Sequence, residues 1–252
     1  MRDVAVVTGA NSGIGLEVAR GLARRGLLVV MGVRDVAKGE AARAGVLRDV
    51  PDAAIEVERL DLFDYASVRR FARAVQERHP AIRVLVDNAG LHTARRETNA
   101  QGHERTFATN HLGHFLLTHE LLPALRAAGG ARVVVVASEA HRFGRIRFHD
   151  LMRARRWSGI FAYNQSKLAN VMFAFALARR LEGTGATANA VHPGSVRTGW
   201  ARGRDSGFFR YAAFVAGPFL IGPERGARTP LRVATDPALA GVTGRYFRWG
   251  RE

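Results

Sequence analysis

The chain has 252 residues, and 47% of them are hydrophobic, which supplies a buried core and argues against wholesale disorder. The absence of cysteine excludes disulfides, thiolate metal sites and cysteine nucleophiles. The net charge is +16, but the arginines are scattered and no basic run or nucleic-acid motif occurs, so no specific nucleic-acid partner is predicted.

Short apolar runs rich in β-branched residues alternate with helical patterns along the chain. The predicted strands are Val4–Thr8, Leu28–Val33, Ile55–Leu60, Val84–Asp87, Arg132–Ala137, Thr187–Val191 and a short one near Gly244–Phe247. The predicted helices are Gly13–Arg25, Val36–Asp49, Tyr65–Arg78, Thr98–Ala127, Ile160–Leu181 and Pro223–Ala234. This alternation predicts βαβ units and a parallel sheet, and without a linker we expect one α/β domain over residues 1–252.

Two segments interrupt the alternation, residues 141–159 and residues 194–222. Both follow the carboxyl ends of predicted strands, where open parallel sheets bind ligands. We therefore expect both segments to wall a substrate pocket.

The sequence contains no signal peptide and no apolar run that would span a bilayer. The nearest candidate, Phe208–Ile221, is short and is interrupted by Arg210 and Pro218. We expect a soluble, cytoplasmic protein.

A glycine-rich turn joins the first predicted strand to the first helix. Glycines allow a tight turn close to a pyrophosphate, and the helix N-terminus supplies free N–H groups. The predicted nucleotide-binding residues of this turn are Gly9, Asn11, Ser12, Gly13, Ile14 and Gly15. The alternative is a βα turn without a ligand.

The end of the second strand predicts the choice between NAD and NADP. An acidic residue there binds the ribose hydroxyls of NAD, whereas an arginine accommodates the extra phosphate of NADP. By register Arg34 takes the arginine position and Val33 the acidic one, which makes Asp35 the N-cap of the next helix. With Lys38 as a second cation, NADP(H) is favoured over NAD(H).

Further cofactor contacts are predicted after the third and fourth strands. Asp61 and Leu62 are candidates for the adenine, with a plain helix cap as the alternative for Asp61. Asn88, Ala89 and Gly90 are candidates to lie against the cofactor, with a tight turn as the alternative.

Tyr163 and Lys167 lie one helical turn apart and therefore share a helix face. A free tyrosine has a pKa near 10, and a neighbouring lysine charge is expected to lower it. Ser138 is a candidate to hold a substrate oxygen beside the phenol. Together with the nucleotide turn, these residues predict hydride chemistry on a carbonyl or alcohol.

These motifs, in this order, resemble the short-chain dehydrogenase/reductase family. The resemblance extends over nearly the whole chain and implies a single-domain Rossmann fold, a doubly wound parallel sheet of about seven strands in the order 3-2-1-4-5-6-7. It implies that Tyr163 is the general acid or base, that Lys167 binds the nicotinamide ribose and that Ser138 binds the substrate oxygen. Asn110 is implied to hold a relay water, with bracing of its helix as the alternative. The nicotinamide contacts implied after the sixth strand are Pro193, Gly194, Val196 and Thr198.

Residues 109–117, 138–141, 163–170 and 192–198 are similar to the retinol dehydrogenase and WW-domain oxidoreductase branch. We expect the chain to depart from that branch in lacking an N-terminal membrane anchor, and Asp87 replaces an asparagine of the usual motif. The family implies a homodimer or homotetramer. Four histidines have no accompanying carboxylate or cysteine set, so no metal site is predicted: His111, His114, His119 and His141.

We predict an NADP-dependent oxidoreductase acting on a hydrophobic ketone, aldehyde or secondary alcohol. The aromatic residues in or near the two segments suit such a pocket, or alternatively ordinary packing: Trp157, Phe161, Trp200, Phe208 and Phe209. The alternative function is a nucleotide-binding sensor or scaffold without turnover.

Overall fold

The structure is a computed structural model that describes residues 2–194 and 221–252. Its seven parallel strands are β1 (Val4–Thr8), β2 (Leu28–Val33), β3 (Ala54–Arg59), β4 (Val84–Asp87), β5 (Arg132–Val136), β6 (Thr187–His192) and β7 (Tyr246–Arg248). They form one sheet in the order β3-β2-β1-β4-β5-β6-β7, which confirms the predicted topology.

The helices are α1 (Gly13–Ala23), α2 (Val36–Asp49), α3 (Tyr65–Arg78), α4 (Arg105–Phe107), α5 (Gly113–Ala127), α6 (Gly159–Arg180) and α7 (Pro223–Thr235). A π-turn over Ala108–Leu112 joins α4 to α5, and short 3-10 turns cover Glu139–Phe143, Phe148–Asp150 and Pro237–Leu239. Within the described residues, no helix combines the length and the apolar composition needed to cross a bilayer.

Two apolar cores cover the two faces of the sheet, as expected for strands whose side chains alternate between faces. One core includes Phe71 of α3, Leu121 of α5 and Leu177 of α6. The other includes Val18 of α1 and Val233 of α7. Both faces of the central strands are therefore buried, which explains why these strands are almost continuously apolar in sequence.

Because all strands are parallel, their carboxyl ends lie at one edge of the sheet. Thr8, Val33, Asp87, Val136 and His192 are the last residues of β1, β2, β4, β5 and β6. The predicted cofactor and catalytic residues follow these positions, so the fold brings them to the edge where such sheets bind ligands.

The prediction of a helix from Thr98 onward was wrong, because α4 begins only at Arg105. Thr98 pairs with Glu104 in an isolated antiparallel bridge, and Gly102 has a φ of 78°. The Asn99 side chain accepts two backbone N–H groups of the turn between them, which competes with helix formation.

Candidate active site

The glycine-rich turn is close-packed, and its shape requires residues without a Cβ atom. Gly9 and Gly13 have φ values of 66° and 58°, which favour glycine. A Cβ at Gly15 would collide with the Asn88 side chain and the Gly9 backbone. Ser12 stands at the N-cap of α1, and among described residues its hydroxyl caps no backbone N–H. The turn thus leaves open backbone at the start of α1, as an anion cradle requires.

Thr8 connects this turn to the loop after β4. Its hydroxyl oxygen accepts the backbone N–H groups of Asn88 and Ala89, both at 2.9 Å, and Asn88 Nδ2 donates to the Thr8 carbonyl at 2.8 Å. Burial lowers the pKa of His114 to about 3, so its ring is neutral. His114 Nδ1 donates to the Asn110 carbonyl at 3.0 Å, and Nε2 therefore accepts the Thr8 hydroxyl at 2.8 Å.

A cavity of about 250 Å³ opens at this edge between β1, β2 and β4. Its lining includes eight of the residues predicted to bind the cofactor, namely Gly9, Asn11, Arg34, Lys38, Asp61, Leu62, Ala89 and Gly90, but not Ser12, Gly13, Ile14, Gly15 or Asn88. It also includes Phe63, Arg105 and Thr109, which sequence reasoning missed. The residues present thus fit an adenine dinucleotide at this edge.

The predicted NADP residues differ in their surroundings. Asp35 caps α2, since its carboxylate accepts the Lys38 N–H at 3.1 Å. It also pairs with the Lys38 ammonium at 3.1 Å, and these bonds lower the pKa of Asp35. Arg34 is exposed and forms no ion pair with a described residue. Arg34 is thus the cation more available to a phosphate.

The loop after β3 forms another wall of the cavity. One oxygen of Asp61 accepts the Phe63 N–H at 3.0 Å, which leaves the other for a ligand. The Arg105 guanidinium lies 5.2 Å from the centre of the Phe63 ring and pairs with Glu97. No sequence motif identifies Phe63 or Arg105 as cavity residues. The approach of Arg105 to the Phe63 ring depends on where α4 begins.

Ser138, Tyr163 and Lys167 lie together beyond β5. Ser138 is the N-cap residue of the 3-10 turn that follows β5, and its side chain forms a hydrogen bond with Tyr163. Lys167 Nζ donates to the Val136 carbonyl at 3.0 Å and lies 5.7 Å from the centre of the Tyr163 ring. A Cβ at Gly90 would lie 3.5 Å from Lys167 Nζ, so the β4 loop borders the same place.

Burial dominates the ionisation of both groups. It raises the pKa of Tyr163 to about 12, while the Ser138 hydrogen bond acts in the lowering direction. Burial also lowers the pKa of Lys167 to about 8. The pKa of Tyr163 is therefore raised rather than lowered, because burial disfavours the charged phenolate. At neutral pH Tyr163 is a protonated phenol.

Asn110 lies in the π-turn between α4 and α5, and both polar atoms of its side chain are hydrogen-bonded. Its Oδ1 accepts the Leu91 N–H at 2.8 Å, and Nδ2 donates to the Leu91 carbonyl and to Ser166 Oγ at 2.9 and 3.0 Å. These bonds connect the π-turn to the loop after β4 and to α6.

The segment of residues 141–159 packs on α6 and α4. Gln165 donates to the Leu151 carbonyl at 2.8 Å, and Trp157 Nε1 donates to buried Glu104 at 3.2 Å. Phe161 lies under the Arg153 guanidinium at 5.6 Å. Trp157 and Phe161 therefore have packing contacts of their own. Tyr163 is instead approached by His92, whose ring centre lies 6.4 Å from that of the phenol and which the sequence did not suggest.

The remaining predicted residues fall at the end of β6. Pro193 and Gly194 are buried there. Val196, Thr198, Trp200, Phe208 and Phe209 lie outside the described residues, as does most of the segment 194–222. Among the described residues no histidine and carboxylate cluster could hold a metal ion.

Comparison with known proteins agrees with this arrangement. The pattern of the short chain dehydrogenase family matches residues 3–207. Retinol dehydrogenase 12 of Mus musculus is 43% identical over 244 residues, which cover 97% of this chain and 77% of that protein.

Two solved structures share the fold. The Pseudomonas aeruginosa RhlG/NADP active-site complex has a TM-score of 0.78 and 25% identity, covering 98% of this chain and 94% of that one. Actinorhodin polyketide ketoreductase with NADPH has a TM-score of 0.77 and 26% identity, covering 100% of this chain and 98% of that one. The chain therefore belongs to the short-chain dehydrogenase family, in its retinol dehydrogenase branch.

Proposed function

We propose that the protein is an NADP(H)-dependent oxidoreductase that interconverts a hydrophobic ketone or aldehyde with the corresponding alcohol. The observation that carries the proposal is the hydrogen-bonded pair of Ser138 and Tyr163, with Lys167 buried one helical turn away. Membership of the short-chain dehydrogenase family supports oxidoreductase chemistry at this place.

The chain's own groups have distinct tasks in this reaction. A bound nicotinamide supplies or accepts the hydride. Ser138 donates a hydrogen bond to the substrate oxygen as negative charge develops on it. Tyr163, protonated at neutral pH because burial raises its pKa, transfers its proton to that oxygen during reduction. In the oxidation direction the same phenol must first lose its proton.

Lys167 acts on Tyr163 through its charge. Because burial lowers the pKa of Lys167 to about 8, the ammonium is charged below that pH and loses its charge above it. A charged ammonium beside the phenol stabilises the phenolate that remains after proton transfer. We therefore propose that reduction is favoured below about pH 8.

The preference for NADP is supported by the end of β2. Arg34 is exposed on the cavity lining, whereas Asp35 is already bonded to Lys38. A carboxylate held in this way is poorly placed to bind ribose hydroxyls, and a guanidinium suits a phosphate. The two solved relatives are complexes with NADP and NADPH, which is consistent with this choice.

An apolar substrate is supported by the names of the relatives, since retinol is an apolar alcohol and a polyketide ketoreductase acts on a ketone.

We also propose a cytoplasmic homodimer or homotetramer formed through α5 and α6. Phe115 on α5 and Met172 on α6 are both exposed, which supports a contact at this surface.

The proposal is tested by incubating the protein with a panel of lipophilic ketones, aldehydes and secondary alcohols and following NADPH absorbance. We expect turnover of at least one apolar carbonyl with NADPH, and slower turnover with NADH. Tight NADPH binding without turnover of any compound would instead support a nucleotide-binding sensor or scaffold.

A further inference from the structure

The chain ends in a tight turn that holds a large aromatic residue in a strained backbone conformation. Trp249 has a φ of 53° and Gly250 a φ of 73°. Backbone hydrogen bonds of 2.6 and 2.8 Å join Arg248 and Arg251 around them. A bulky side chain in the left-handed region is a genuine outlier, since its Cβ crowds the backbone.

Contacts with α7 keep the turn in this conformation. The Gly250 N–H donates to Thr229 Oγ1 at 3.0 Å, and Arg232 donates to the Gly250 carbonyl. Strain of this kind persists only where the surroundings over-determine it, and such residues cluster at ligand sites. The strained turn therefore makes Trp249 a candidate to contact a ligand.

The indole lies against the end of β6. Its ring centre is 6.2 Å from that of His192 in an edge-on arrangement. Gly194 has a φ of 92°, and a Cβ there would come within 2.9 Å of the indole. Trp249 is nevertheless 53% exposed. A half-exposed aromatic surface, with the Arg248 guanidinium 6.0 Å from the ring centre, thus borders Gly194.

The position of β7 relates this surface to the reacting residues. Strands β5, β6 and β7 are neighbours, so the ends of β5 and β7 are about 10 Å apart. Glu139, which follows Ser138, accepts the Tyr246 hydroxyl at 3.0 Å and lies 3.5 Å from Arg248. Glu139 therefore ties the turn that begins at Ser138 directly to β7, the strand that immediately precedes Trp249.

We propose that Trp249 is a specificity-determining residue whose indole forms an apolar wall of the substrate pocket. It would pack on the aryl or alicyclic part of a ketone whose oxygen meets Ser138 and Tyr163. Flat aromatic surface with few polar groups is typical of pockets that select apolar ligands. This inference rests on the proposed function, since it concerns the substrate of the same site.

The test compares benzylacetone, which carries a phenyl ring, with acetone, which does not, in the NADPH-bound protein. Trp249→Gly removes the indole without adding strain, because glycine tolerates a positive φ. We expect the ratio of kcat/KM for benzylacetone to that for acetone to fall roughly tenfold or more, through KM. Trp249→Phe keeps a ring and should restore part of the ratio.

A matched control is Trp157→Phe, which removes another indole contact at a residue bonded to Glu104. It should change both ketones equally and leave the ratio as in the wild type. An unchanged ratio in Trp249→Gly, with NADPH binding and thermal stability retained, would overturn the assignment.

If the wild-type protein reduces neither ketone, the pocket wall is still tested by binding, and the proposed function is tested separately by the wider substrate panel. The chain has three tryptophans, so Trp157→Phe combined with Trp200→Phe leaves Trp249 as the only indole. Benzylacetone, but not acetone, should change the tryptophan emission of this variant in the presence of NADPH. Unaltered emission would reject Trp249 as a wall of the pocket.

Discussion

Arg34 is a single exposed side chain on which the proposed cofactor preference depends. Its neighbour Asp35 is bonded to Lys38, so replacing Arg34 removes the cation least engaged by the protein itself. Loss of one charge-assisted hydrogen bond to phosphate costs about 1.5–3 kcal/mol, which is roughly ten- to hundredfold in Kd.

We expect Arg34→Asp to weaken NADPH binding by roughly that factor and to leave NADH binding unchanged or stronger. Titration of each nucleotide by its fluorescence measures this. Arg73→Asp, at an exposed position on α3 that does not line the cavity, makes the same charge change and should leave both affinities unaltered. An unchanged ratio of affinities in Arg34→Asp would show that another residue recognises the phosphate.

At the scale of elements, the approach of α5 to the loop after β3 shapes the adenine side of the cavity. Gly113 begins α5, and a Cβ there would collide with the Leu62 backbone carbonyl. Gly113→Ala should therefore displace Leu62 from the cavity wall, destabilise the protein by about 1–3 kcal/mol and weaken NADPH binding. Thermal denaturation and NADPH titration measure the two effects.

Gly45→Ala is the control for this change, because Gly45 lies within α2 and a Cβ there meets no atom closer than 3.6 Å. It should stabilise the protein by about 0.5–1 kcal/mol, since alanine is the better helix former. Wild-type stability and wild-type NADPH affinity in Gly113→Ala would contradict the argument.

The elements also show how far the sequence alone was informative. The strands were predicted to within two residues, because buried parallel strands are apolar runs bounded by turns. The start of α4 was predicted seven residues too early, because the Asn99 turn and the Thr98–Glu104 bridge are not visible as periodicity. Phe63, Arg105, His92 and Trp249 approach the site only through tertiary packing, and no sequence spacing identifies them. The raised pKa of Tyr163 likewise depends on burial, which residue identity does not reveal.

For the whole molecule, Asp87 links stability to pH. It is fully buried at the end of β4, where Thr118 donates to Oδ2 at 3.0 Å, and Oδ1 has no hydrogen-bond partner among the described residues. Burial raises its pKa from 3.8 to about 8. Between these values the folded protein holds a proton that the unfolded chain has released, so this group lowers stability as pH rises through that window.

Asp87→Asn keeps the shape and removes the ionisation. We expect the variant to gain stability over the wild type progressively from about pH 4 to pH 8, by a few kcal/mol at the upper end. Urea denaturation at several pH values measures the difference, with exposed Asp52→Asn as a control that should show no such trend. A stability difference that does not change with pH would show that Asp87 is not held protonated.

In the proposed reaction Tyr163 transfers the proton, whereas the nucleotide binds independently of the Tyr163 hydroxyl. The most direct measurement compares wild type and Tyr163→Phe for NADPH affinity and for reduction of the best carbonyl substrate at pH 7. We predict that the variant binds NADPH with an affinity within about twofold of wild type and loses at least about a hundredfold in kcat. Retention of most of the wild-type kcat in Tyr163→Phe would show that Tyr163 is not the proton donor.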